Sequence, residues 1–155
     1  MRKYLLLTGV LFSSLVHATS KEGCYSFEEA IFSAVSEESV LKETYVQISK
    51  VSDQYFAEGV IWGANFHICH LSSPSEGHEG PLPLKVEGDN LVYEELGPEY
   101  NINCKLEISF ADGALKISDN NHHCSNYIFS CGARVGLNDI ELPKSAKECP
   151  VPLTY

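Results

Sequence analysis

The chain has 155 residues, 44% of them hydrophobic, and sets 11 basic residues against 21 acidic ones for a formal net charge of −10. A single domain of this length buries enough surface for a real core. The charge excludes nucleic acid as a natural partner and disfavours anionic membrane surfaces, whereas a cationic protein or a metal ion would be attracted.

In chain order, Arg2 and Lys3 precede an apolar run from Leu5 to Val16 that is too short to cross a bilayer and ends in Val16-His17-Ala18. Small residues at the two positions read by a signal peptidase predict cleavage before Thr19. Residues 1–18 are therefore read as a signal peptide and 19–155 as one exported, periplasmic or secreted domain. The first cysteine, Cys24, lies away from the cleavage point, and no later segment is apolar for long enough to span a membrane, so no stable membrane anchor is expected.

Ser26 followed by Glu29 forms a capping box, and Phe27, Ala30, Ile31, Ala34 and Val35 fall on one helical stripe, which predicts a short N-terminal helix. From Glu43 onward, β-branched and aromatic residues come in short runs. Thr44 to Val51 and Tyr55 to Trp62, divided by Ser52-Asp53-Gln54, predict a hairpin. Phe66 to Leu71 is expected as a third strand after a bend at Gly63-Ala64-Asn65. The stretch 72–83, with its prolines, glycines, glutamates and a histidine, reads as the longest exposed loop. Leu84 to Glu87 and Leu91 to Glu95 flank the turn Gly88-Asp89-Asn90. The clearest alternation is Cys104, Leu106, Ile108 and Phe110, resuming after Asp112-Gly113 with Leu115 and Ile117. A last strand is expected at Tyr127 to Phe129, followed by an irregular tail at Leu142-Pro143. Many short strands behind one helix predict a mainly β fold, an antiparallel β-sandwich or small β-barrel.

All six cysteines lie after residue 18, an even number that in an exported chain predicts three disulfides. Cys124 and Cys131 are close enough for a local bridge, Cys24 and Cys149 would tie the two ends, and Cys69 then pairs with Cys104. Five histidines follow residue 18, and four of them crowd cysteines, at His67 and His70 around Cys69 and at His122 and His123 before Cys124. Imidazole suits zinc or copper, so these four form the candidate metal site. Disulfide-bonded cysteines are not ligands, His67 and His70 would point to opposite faces of a strand, and histidines simply hydrogen-bonded beside disulfides are the competing expectation.

No Gly-x-Ser-x-Gly elbow, phosphate loop or metalloprotease motif occurs, and the adjacent pairs Glu28-Glu29, Glu37-Glu38 and Glu94-Glu95 read as solvated charge. A hydrolytic enzyme without a motif is thus the third choice. The acidic loop offers Glu76, His78 and Glu79 as partner contacts, and Trp62, in an apolar run, is either an exposed anchor or core. Arg134 is a lone cation after the Cys131-Gly132 turn.

From Gly63-Ala64-Asn65-Phe66-His67-Ile68-Cys69 through Cys104-Lys105-Leu106-Glu107-Ile108-Ser109-Phe110 to Cys131-Gly132-Ala133-Arg134, the order of features resembles small uncharacterised bacterial periplasmic proteins. In general build, an exported acidic β-domain with disulfides, the chain is also similar to bacterial periplasmic lysozyme inhibitors. That resemblance implies a cationic cell-wall hydrolase as partner. The chain lacks the Ser-Gly dipeptide that those inhibitors insert, so no inhibitory residue is carried over. The sequence therefore leads to a non-enzymatic binding protein without a cofactor, an inhibitor or immunity-type protein for a basic partner. A histidine-based zinc or copper binder is the alternative.

Overall fold

A computed structural model describes residues 20–74, 80–129 and 131–150. The leader 1–18 and the loop residues Glu76, His78 and Glu79 lie outside the described residues. Nine strands follow one another: β1 (Gly23–Ser33), β2 (Glu38–Val51), β3 (Gln54–Trp62), β4 (Ile68–Leu71), β5 (Leu82–Glu87), β6 (Asn90–Gly97), β7 (Ile102–Ala111), β8 (Ala114–Ser118) and β9 (Ile140–Pro143). They form one antiparallel sheet ordered β1-β2-β3-β5-β6-β7-β8-β9, with β4 beside β3. β3 is shared along its length, Tyr55–Ala57 pairing with β5 and Gly59–Trp62 with β4.

The sheet curls until its ends meet. Tyr25 pairs with Lys144 just beyond β9, and the Ser145 amide donates to the Cys24 carbonyl at 2.8 Å. The result is a nearly closed barrel, the second of the two expected architectures. Period-2 alternation is the cause: Cys104, Leu106 and Ile108 are buried while Lys105 faces solvent, and Leu115 and Ile117 bracket exposed Lys116 in the same way. Val46, Ile48, Ile61, Leu71, Leu84, Leu91 and Leu142 complete an interior filled by side chains. At Gly59 a Cβ would lie 2.2 Å from the Tyr45 carbonyl oxygen, so only glycine lets β2 and β3 close there.

Four expectations are corrected. Residues 23–33 are a strand and not a helix. A helix of so few residues is marginal alone, whereas pairing all eleven residues from Gly23 to Ser33 with β2 satisfies the backbone and overrides the local capping box. Residues 124–128 make a short π-helical turn in place of the expected strand at Tyr127–Phe129. The tail is not irregular at Leu142-Pro143, because Leu115 pairs with Leu142 and Ala114 with Pro143 as β9 adds to β8.

The fourth correction concerns the disulfides. Cys24–Cys149 stands, but the others are Cys69–Cys131 and Cys104–Cys124. Cys69 on β4 and Cys104 on β7 lie on strands that do not pair, and each is bonded to the segment that follows β8. The turn at Cys124–Ile128 instead lays Cys124 against β7, and Cys131 reaches β4. The two bridges pin the segment from Cys124 to Leu137 to the barrel, where Cys124, Phe129 and Leu137 join the core.

Candidate functional site

The two longest strands, β1 and β2, outreach the barrel. β3 pairs with β2 only from Tyr45 onward, so Glu28–Ser33 and Glu38–Glu43 form a two-stranded ribbon beyond the barrel proper. A two-stranded ribbon is marginal by itself. Ile31 and Ser33 are buried on one of its faces, and the short 3-10 turn Ala64–Phe66 packs against β1. The Ala34 amide donates to Asn65 Oδ1 at 2.7 Å, so the ribbon tip is fixed in place. Asn65 has φ 56°, a left-handed conformation that asparagine tolerates.

On the outer face of the same strands, the register brings carboxylates together. Glu28 lies directly opposite Glu43, and Gln47 opposite Glu58, with Tyr45 between. Burial pushes the Tyr45 phenol up from its ordinary value, and Glu58 and then Glu43 push it further, which reports that both carboxylates bear on this ring. Among the described residues, none of Glu28, Glu29, Glu43 and Glu58 forms an ion pair. The opposite side of the barrel behaves differently. There Lys105 sits 3.0 Å from Glu87 and 3.6 Å from Glu94, and Lys116 sits 3.4 Å from Asp139. Among the described residues the ion pairs join Lys85, Lys105 and Lys116 to Glu87 on β5, Glu94 on β6 and Asp139 before β9, and none involves a carboxylate of β1 to β3.

Lys42 is the one cation in the ribbon. Its Nζ lies over the Trp62 ring, 4.5 Å from the centroid, and 5.6 Å from that of Phe66. Its charge is thereby drawn toward the aromatic base and away from the carboxylates. Trp62, expected as anchor or core, is half-buried. It packs on an outer cluster of Cys24, Tyr45 and Val60 with Ile68 and Cys149, and its backbone amide donates to Thr44 Oγ1 at 3.1 Å.

The four histidines expected to share a metal belong to two separate disulfide neighbourhoods. His67 leans on Gly132, where a Cβ would come within 2.6 Å of Nδ1, and His70 lies opposite Val60. His123 Nδ1 accepts the Asn103 amide proton at 3.0 Å, and its ring meets Tyr127 edge-on. Among the described residues, no group of three or more His, Cys, Asp or Glu stands close enough to hold a metal ion. All six cysteines are in disulfides.

No family model, no curated protein and no solved structure matches this chain. Its site must therefore be read from its own chemistry. Among the described residues no helix is long and apolar enough to cross a membrane. A cleft of about 280 Å³ opens at the barrel end opposite the Cys104–Cys124 bridge, between Tyr25, Phe110, Lys21 and Lys144. Its lysines are engaged internally: Lys144 Nζ donates to the Ser20 carbonyl at 2.7 Å, and Lys21 lies over Phe110. Those contacts fasten the N-terminal residues across the seam.

The acidic face missed by sequence reasoning did leave a signal. Glu28, Glu29, Glu37, Glu38 and Glu43 surround a single lysine in sixteen residues, but only strand register sets Glu28 opposite Glu43 on the outer face, with Glu29 and Glu38 on the other. Its electrostatics have a measurable consequence. Because the folded Tyr45 phenol lies above its unfolded value near 10, the stabilisation is whole at neutral pH and is lost as pH rises through the folded value. Tyr45→Phe is expected to flatten the loss of stability between about pH 9 and 11, read from denaturant unfolding curves. An unchanged slope would show that the folded Tyr45 phenol is not held above its unfolded value.

Proposed function

We propose that this chain is a non-enzymatic binding protein of the periplasm or the secreted space, and that it engages a basic protein such as a cell-wall hydrolase. The observation that carries the proposal is the asymmetry of charge: among the described residues no ion pair reaches Glu28, Glu43 or Glu58 on the outer face of β1 to β3, while Glu87, Glu94 and Asp139 are paired with lysines. Bare carboxylates on a rigid sheet keep their full field for a partner, which raises the encounter rate and selects against anionic competitors. The setting agrees with this use. Three disulfides are compatible with an extracellular or periplasmic chain. The interior is filled by side chains, which leaves the outer faces for recognition.

The test is retention of basic lysozymes of the c, g and i types on the immobilised protein. Retention of at least one is expected to fall as salt rises, because exposed charge is screened within about 8 Å at physiological ionic strength. Retention indifferent to salt, or none, would overturn the proposal.

A further inference from the structure

The ribbon of β1 and β2 carries two features that work against its own stability. Phe32 is 55% exposed, Leu41 62% and Val35 92%. The register places Ala30 opposite Leu41 and Phe32 opposite Ser39, so Phe32 and Leu41 are diagonal neighbours on one face, with Val35 in the turn above them. On that same face, two residues along, Glu28 and Glu43 oppose each other, and like charges directly across a strand pair are destabilising. On the other face of the ribbon Ile31 and Ser33 are buried, and the turn Ala64–Phe66 packs against β1. Asn65 holds the tip, so the exposed face is presented by a fixed scaffold.

Local choices that oppose folding stability are expected where a surface serves recognition. Resting on the basic-partner reading above, we propose that the free face of this ribbon is the anchor of the complex: Phe32, Leu41 and Val35 seat in an apolar recess of a cationic protein, and Glu28 and Glu43 meet its basic rim. Charge complementarity selects this occupant. A second copy of the chain would bring the same carboxylates face to face, and an anionic lipid surface would be repelled in the same way. A buried aromatic and aliphatic centre with charge at its edge is also the ordinary arrangement of a binding hot spot.

The experiment measures the affinity of the wild-type chain, F32S/L41S, V35S, E28Q/E43Q and V86S for the same panel of basic lysozymes at low and high salt. V86S is a control, since Val86 is 55% exposed on β5, away from the ribbon. F32S/L41S is expected to weaken binding by at least about tenfold at both salt concentrations, as hot-spot truncation does. E28Q/E43Q should weaken it at low salt alone, and V86S should match the wild type. V35S, in the turn and free of packing, gives the same reading should F32S/L41S not fold. Wild-type affinity in F32S/L41S and V35S would overturn the anchor and leave the basic-partner reading standing. Absence of wild-type binding to every lysozyme would overturn that reading and the anchor with it. A wild-type dimer that F32S/L41S converts to monomer in sedimentation would also overturn the proposal, because a second copy would be the occupant.

Discussion

Replacing Cys24 and Cys149 together by alanine is expected to lower the unfolding free energy by about 5 kcal/mol, more than removal of either other disulfide. This bridge spans 125 residues and the Cys104–Cys124 bridge only 20. In the chain-entropy picture the loss grows with the logarithm of the closed loop, which puts the shorter bridge at about 3 kcal/mol. The longer bridge also lies at the one seam where the barrel is closed by few backbone contacts, the Tyr25–Lys144 pair and the Ser145 amide on the Cys24 carbonyl. Denaturant unfolding of the two double variants under oxidising conditions measures the order. If the Cys104–Cys124 variant proved the less stable, the contacts of the Cys124–Leu137 segment would outweigh the seam in holding the barrel shut.

The second large effect is expected at Asp119, which is fully buried. Its carboxylate accepts the Ser125 amide at 2.8 Å, the Ser125 hydroxyl at 2.6 Å and the Cys124 amide at 3.3 Å. Ser125 Oγ in turn accepts the Leu137 amide at 3.0 Å, so one carboxylate organises both ends of the segment that plugs the barrel. Asp119→Ala strands those donors in the interior and is expected to cost about 3–5 kcal/mol, because hydrogen bonds to a charged group are the strong ones and buried unpaired donors carry their full desolvation cost. Ser125→Ala should cost about 1–2 kcal/mol. The double variant should lose less than the sum of the two, since the residues share one network. A loss below about 1 kcal/mol in Asp119→Ala would mean that water replaces the carboxylate.

How far the sequence could be read follows from which interactions are local. The strands at Cys104–Phe110 and Leu115–Ile117 and the hairpin of β2 and β3 were legible because alternation and turn residues are written within a few positions. β1 was misread because Ser26-x-x-Glu29 and the apolar stripe from Phe27 to Val35 are also local signals, and they favour a helix. What overrides them is pairing with Glu38–Ile48, a partner absent from any window on residues 23–33. The same misreading hid the candidate site: on a helix Phe32 and Leu41 have no shared face, whereas on a paired ribbon they are neighbours. β9 was missed because Ile140–Pro143 is short and adds to an edge that only exists once β8 is in place.

By itself, the sequence determined a mainly β, acidic domain stapled by three disulfides, since alternation, charge and an even cysteine count are properties of composition and spacing. Only the tertiary structure decided that the sheet closes into a barrel, which bridges Cys69 and Cys104 enter, and that Glu28 faces Glu43 across two strands while Glu87 and Glu94 pair with Lys105. The physical reason is the same for each. Strand order and register are set by long-range pairing and by the packing of one filled interior, and side chains far apart in the chain become neighbours only when that interior forms.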